Sequence, residues 1–198
     1  MHKIARNLAA LSAAAPILLA GLAGHAAAAS AFTSLKEPAC QGAPGNAAAR
    51  RDEHGHVVFQ CRGAGGWSIR LLYAGTYVSA FFTPSGAKKP AFQLNAPYNI
   101  GPRIEWVSPA AHSRPNAAIV RLHVRTGSAS TETALAVLGV SASRMCLAGL
   151  ISGKAGYANA LAREQANALP ASGECRAGGP SVTGPQSEAL TELLGANR

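Results

Sequence analysis

Six consecutive residues near the middle of the chain constrain its architecture most: Val120, Leu122 and Val124 alternate with Arg121, His123 and Arg125. Successive side chains of an extended strand point to opposite faces, so this stretch describes a sheet with one apolar face and one wet, positive face. The same period of two recurs in Val57, Phe59 and Cys61 against Val58, Gln60 and Arg62, and in Trp67, Ile69, Leu71 and Tyr73 against Ser68 and Arg70. Glycines at 63–66 and Ala74-Gly75 end these runs, and residues 76–82 read as a third strand. Connections this short allow only antiparallel neighbours, because a parallel return needs a crossover of roughly a dozen residues or more. Ile104 and Trp106, residues 134–140 and residues 145–151 supply further strands. Residues 87–101, with Pro90, Pro97 and a turn cluster at 99–102, read as an excursion without strong secondary structure.

The period lengthens to nearly four at Tyr157, where Ala158, Ala162, Ala166 and Leu169 form one stripe and Asn159, Arg163 and Asn167 are polar. Pro170 closes this helix, which is expected to lie across the sheet's apolar face. The fold class is therefore α+β, mainly antiparallel β: a six- or seven-stranded meander-type sheet with one C-terminal helix packed on it. Residues 177–185 are rich in Gly and Pro, so 177–198 reads as a flexible tail with a short helix capped by Ser187 and stopped by Gly195.

Residues 1–29 have the build of a secretory signal peptide. Lys3 and Arg6 precede an uncharged Ala/Leu-rich run at 8–24, and small residues at 26–29 offer cleavage sites. Pro16, Gly21, Gly24 and His25 interrupt the run, which favours cleavage over a membrane anchor, and no cysteine follows the cleavage site to carry a lipid. The expected mature chain begins around Ser30, with 30–176 a single disulfide-stabilised β-rich domain in the periplasm or outside the cell and no transmembrane segment after cleavage. Cys40, Cys61, Cys146 and Cys175 all lie in it, so two disulfides are expected. Three connectivities exist; sequence proximity favours Cys40 with Cys61 and Cys146 with Cys175.

The 198 residues carry 18 Lys and Arg against 9 Asp and Glu, and loss of Lys3 and Arg6 with the leader lowers the net charge from +9 to +7. A basic exported protein meets anionic surfaces readily, such as lipid headgroups, acidic polysaccharide or another periplasmic protein. Nucleic acid is not an expected partner, because export removes the usual target and no aromatic residues interleave the cations. The candidate anion-binding face is the Arg121, His123 and Arg125 row joined by Arg70 and Arg103 on neighbouring strands, with Glu105 neutralising part of its charge.

Enzymatic constellations are sparse. Asp52, Glu53, His54 and His56 form the densest group of potential metal ligands; in an extended segment Asp52, His54 and His56 project to one side, and His112 or His123 would complete a site. Gly55 and the charged run before it are typical of an exposed turn leading into the strand at Val57, and that reading is preferred over the metal site. Ser85 and Lys88 match S-x-x-K, but in a Pro/Gly turn and without the S-D-N or K-T-G partners. Asp52 is the sole aspartate, no G-x-S-x-G elbow occurs, and the carboxylates are scattered. No cofactor is expected, no catalytic residue is assigned, and the balance leans away from an enzyme.

The segments Ala31-Phe32-Thr33-Ser34-Leu35, Phe59-Gln60-Cys61-Arg62-Gly63, Gly101-Pro102-Arg103-Ile104-Glu105-Trp106 and Asn159-Ala160-Leu161-Ala162-Arg163 resemble a family of small uncharacterised secreted proteins of Gram-negative bacteria. The resemblance spans most of the mature chain and implies a periplasmic location but no activity. A looser likeness, around the strand containing Cys61, is to periplasmic lysozyme inhibitors, which are also small, exported, β-rich and disulfide-bonded. The expected role is that of a non-enzymatic binding or cell-envelope protein. A lysozyme-inhibitor-like protein and a small metal-dependent hydrolase using residues 52–56 are the alternatives.

Overall fold

The period-two segments fold into two stacked sheets rather than one. The structure, a computed structural model, describes residues 28–36, 40–41, 50–127, 130–175 and 177–197. The proposed leader therefore lies almost wholly outside the described residues, as do the loop residues 42–49. In chain order the strands are β1 (Ala29–Ser34), β2 (Cys40–Gln41), β3 (Arg50–Arg51), β4 (Val57–Arg62), β5 (Trp67–Ala74), β6 (Tyr77–Pro84), β7 (Phe92–Ala96), β8 (Tyr98–Ser108), β9 (Ala117–Arg125), β10 (Thr131–Val140) and β11 (Met145–Ser152). Helix α1 (Ala158–Asn167), strand β12 (Ser181–Thr183) and helix α2 (Glu188–Ala196) complete the described chain.

One sheet runs β1-β8-β9-β10-β11-β12; the other runs β2-β4-β5-β6-β7, with β3 also on β4. Every pairing is antiparallel except β11 with β12. The expected meander exists twice, as β4 to β7 and as β8 to β11. Two sheets form because each meander carries its own apolar row and needs a cover. Phe59, Ile69, Leu71, Val78, Ala80, Phe82 and Leu94 of the second sheet share one core with Ile100, Ile104, Trp106, Val120, Leu122, Val124 and Leu138 of the first. Trp106 is fully buried at this junction. Its indole Nε1 donates to Thr33 Oγ1 (2.9 Å), whose hydroxyl donates to the Arg62 carbonyl (3.3 Å), and its ring meets Phe82 edge-on at 6.5 Å.

The residue 87–101 excursion is corrected by β7 and the start of β8. Leu94 and Ala96 alternate inward and are fully buried, which holds the strand between prolines 90 and 97. Helix α1 forms where its alanine stripe predicts, but on the opposite face of the sheet. Ala162 and Ala166 pack on Val107, Ala117, Ile119, Leu135, Val137 and Ile151, whereas Val120, Leu122 and Val124 face the other sheet. Asn116, 3 % exposed, donates through Nδ2 to the carbonyls of Leu169 and Pro170 (both 3.2 Å) and so ties down the chain leaving α1.

The segment after residue 176, expected as a flexible tail, is packed. Strand β12 lies alongside β11, and Ala189, Leu190 and Leu193 of α2 belong to the inter-sheet core. Ser187 caps α2 as expected, its Oγ accepting from Leu190 N (3.3 Å), whereas Gly195 lies inside the helix and Asn197 ends it. Disulfides join Cys40 to Cys61, tying β2 to β4, and Cys146 to Cys175, tying β11 to the chain beyond α1. Among the described residues no helix is long and apolar enough to cross a membrane.

Candidate anion-binding face

Strand β9 places Val120, Leu122 and Val124 in the core and turns Arg121, His123 and Arg125 to the face that carries α1. The row is not uniformly wet. Ala117 and Ile119 at its start lie under the helix, Arg121 and His123 are half-buried at the helix margin, and Arg125 is exposed beyond it. A β-bulge between Ile100 and Ile104 sets β8 against this row. At Gly101, a Cβ would come within 2.9 Å of Arg121 Cβ, so glycine lets the Arg121 stem lie close over the strand.

The Arg121 guanidinium donates from NH2 to Asn159 Oδ1 on α1 (2.8 Å). Arg103, on the same face of β8 as Glu105, lies over the Phe32 ring of β1, with Cζ 5.8 Å from its centroid; that ring is 55 % exposed. Glu105 does not neutralise the row as the sequence suggested. Its carboxylate accepts from Arg163 Nε (2.8 Å) and NH2 (3.2 Å) and from Ser30 Oγ (2.8 Å). The remaining ion pairs place Lys154 on Glu132, Arg144 near Glu174, His56 on Asp52 and His54 near Glu53. Among the described residues, no carboxylate lies within 4.0 Å of the Arg103, Arg121 or Arg125 guanidinium. His123 sits between two of these cations; burial first, and then the Arg121 charge, holds its imidazole below the ordinary histidine range.

Arg70 does not join this surface. It projects from β5, in the other sheet, and stacks on Phe81 of the adjacent strand with Cζ 4.5 Å from the ring centroid. The assembled candidate is thus Arg103, Arg121, His123 and Arg125, with Phe32 and Asn159 as members that charge alone did not single out. Asn159 was readable as a polar helix position, but its partner depends on which face the helix covers.

The segment at 52–56 is built as a turn. Asp52 Oδ1 accepts from His54 N (3.0 Å) and His56 N (2.8 Å), Oδ2 lies 3.0 Å from His56 Nδ1, and Arg51 donates to the Gly55 carbonyl (2.7 Å). Desolvation opposes ionisation of Asp52, but the bonds from His56 and His54 outweigh it and hold the carboxyl below its usual range. The carboxylate that would lead a metal site therefore organises its own backbone. No three His, Cys, Asp or Glu side chains converge as a metal site among the described residues. Ser85 and Lys88 are both exposed around the turn after β6.

Comparison with protein-family profiles, with curated proteins and with solved structures finds no match to this chain.

Proposed function

We propose that this is an exported, non-enzymatic binding protein of the bacterial envelope, and that the α1-flanked face of its first sheet engages phosphate or carboxylate groups of an envelope component. One observation carries this reading: three guanidinium groups, Arg103, Arg121 and Arg125, share a face on adjacent strands, and among the described residues no carboxylate is paired to them. Guanidinium groups recognise such anions through paired N–H donors, and a rigid sheet fixes their spacing. The Arg121 bond to Asn159 leaves further donors of the guanidinium available. The two disulfides agree with an oxidising compartment, and the leader at residues 1–29 supports export to it.

Retention on anionic envelope fractions tests the reading. The double variant Arg121→Glu/Arg125→Glu is expected to elute at lower salt than the parent protein; equal retention would remove this face as the binding surface. The Asp52 turn lends no support to hydrolysis, since its carboxylate already serves its backbone.

A further inference from the structure

At one end of the sandwich the β5–β6 turn, the end of β7, the end of β9 and helix α2 surround an open hollow of about 900 Å3. Tyr77, Asn95, Arg125, Gly127 and Glu192 are among its lining residues. Arg125 and Glu192 bring opposite charges to the same space, yet no ion pair joins them to each other or to any other side chain among the described residues. Tyr77 adds an aromatic wall that is 55 % exposed.

The frame around these groups is held firmly. Asn95 exchanges hydrogen bonds with the Asn197 side chain through its own N–H (2.8 Å) and carbonyl (3.0 Å), and its Nδ2 donates to the Ala196 carbonyl (2.9 Å). On the opposite side Glu188 Oε1 accepts from Gly127 N (2.9 Å), fastening the chain after β9 to the first turn of α2. Arg125 N donates to the Pro97 carbonyl (3.0 Å), which fixes the backbone that carries the guanidinium. The walls are preorganised while the two charged tips and the phenol ring remain available, as a recognition site requires.

We propose that this hollow binds a small zwitterion of the amino-acid or short-peptide class. Arg125 takes the carboxylate, Glu192 takes the ammonium group, and Tyr77 covers the apolar body between them. A purely anionic ligand would meet Glu192 unfavourably and a purely cationic one would meet Arg125, so only a molecule bearing both signs satisfies both groups. The hollow is wide enough for an unblocked tripeptide with room to spare, so the two charges rather than the volume set the ligand class. This inference shares Arg125 with the envelope-binding reading but not the residues that tell the two apart: Arg121 belongs only to the face, and Glu192 and Tyr77 only to the hollow.

The test is a titration of the isotope-labelled full chain with trialanine bearing free ends, followed through the amide resonances of Tyr77, Asn95 and Gly127. Saturable shifts at these amides are expected. N-acetyl-trialanine should bind roughly fivefold to tenfold more weakly, in line with loss of one charged contact in an open site. In Glu192→Gln the free-ended and acetylated peptides should bind alike, and Arg125→Gln should likewise erase the preference for a free carboxylate over trialanine amide. Arg121→Glu is expected to bind trialanine unchanged while losing envelope retention, and Glu192→Gln the reverse, so the two proposals fail separately. Absence of saturable shifts, or acetylated peptide binding the parent protein as tightly as the free-ended form, would overturn the assignment.

Discussion

Asn197, the residue that ends α2, pairs with Asn95 as another strand would. Its Oδ1 accepts from Asn95 N at 2.8 Å and its Nδ2 donates to the Asn95 carbonyl at 3.0 Å. Strand β7 ends its sheet, and an open edge is a template for unwanted pairing. One side-chain amide therefore closes the edge at Asn95 and locks the C-terminal helix to the second sheet.

Replacing this amide should loosen both. Asn197→Ala is expected to cost about 1 to 3 kcal/mol, from three lost hydrogen bonds, two with Asn95 and one from Nδ2 to the Leu193 carbonyl (2.9 Å), with the bonded backbone groups left near solvent. Hydrogen exchange at the Asn95 amide should accelerate; an unchanged exchange rate would show that the edge is protected by something else.

Helix α2 is part of the core, and truncating it should reveal that. Leu193 is fully buried between the sheets. Leu193→Ala is expected to lower the unfolding free energy by about 2 to 5 kcal/mol. A loose tail would give a change within about 0.5 kcal/mol in denaturant unfolding.

Thr33 joins the two sheets through Trp106 above it and the Arg62 carbonyl beyond. Thr33→Val keeps the shape but leaves the buried indole N–H without its acceptor, at an expected cost of about 1 to 3 kcal/mol. Paired with Trp106→Phe in a double-mutant cycle, the two losses should fall well short of additivity.

His123 makes stability depend on pH in a definite direction. Its folded imidazole resists protonation, so the unfolded chain binds the proton more readily and stability falls as pH drops through and below the ordinary histidine value of 6.5. Above that value both states are neutral at this site and it contributes no slope. His123→Gln should flatten the stability profile just below pH 6.5 without altering its slope near pH 8; an unaltered slope below pH 6.5 would assign the dependence to another group.

Local chemistry was legible in the sequence where it decided the local structure. The alternation in β4, β5 and β9, the alanine stripe of α1, the Ser187 cap and the pairing of neighbouring cysteines all appear as read. What the sequence concealed was which face covers which. Residues 134–140 are apolar almost throughout and all buried, the signature of a strand covered on both sides; read as a plain strand, they gave no hint that a second sheet and a helix enclose them. In the same way Ala117 and Ile119 begin the outward row of β9 as apolar residues before Arg121 and His123 follow. That change marks the edge of the helix's footprint.

The candidate face shows the same limit. Its cations were visible as an alternating row, but membership depended on sheet assignment, which moved Arg70 to the other sheet. Glu105 looked like a neutralising neighbour, yet Arg163 arrives from α1 to take its carboxylate and leaves the row positive. Both outcomes depend on contacts between residues far apart in the chain, which no short-range pattern encodes.

Arg103, Arg121 and Arg125 are proposed to form an anion-binding surface. The most direct measurement is the salt dependence of binding to vesicles containing anionic phospholipid, compared between the parent protein and the Arg103→Gln/Arg121→Gln/Arg125→Gln variant, with neutral vesicles as reference. Salt-sensitive binding of the parent to anionic vesicles alone is expected, with a large loss in the variant at equal salt. Equal binding by the two proteins at every salt concentration would contradict it.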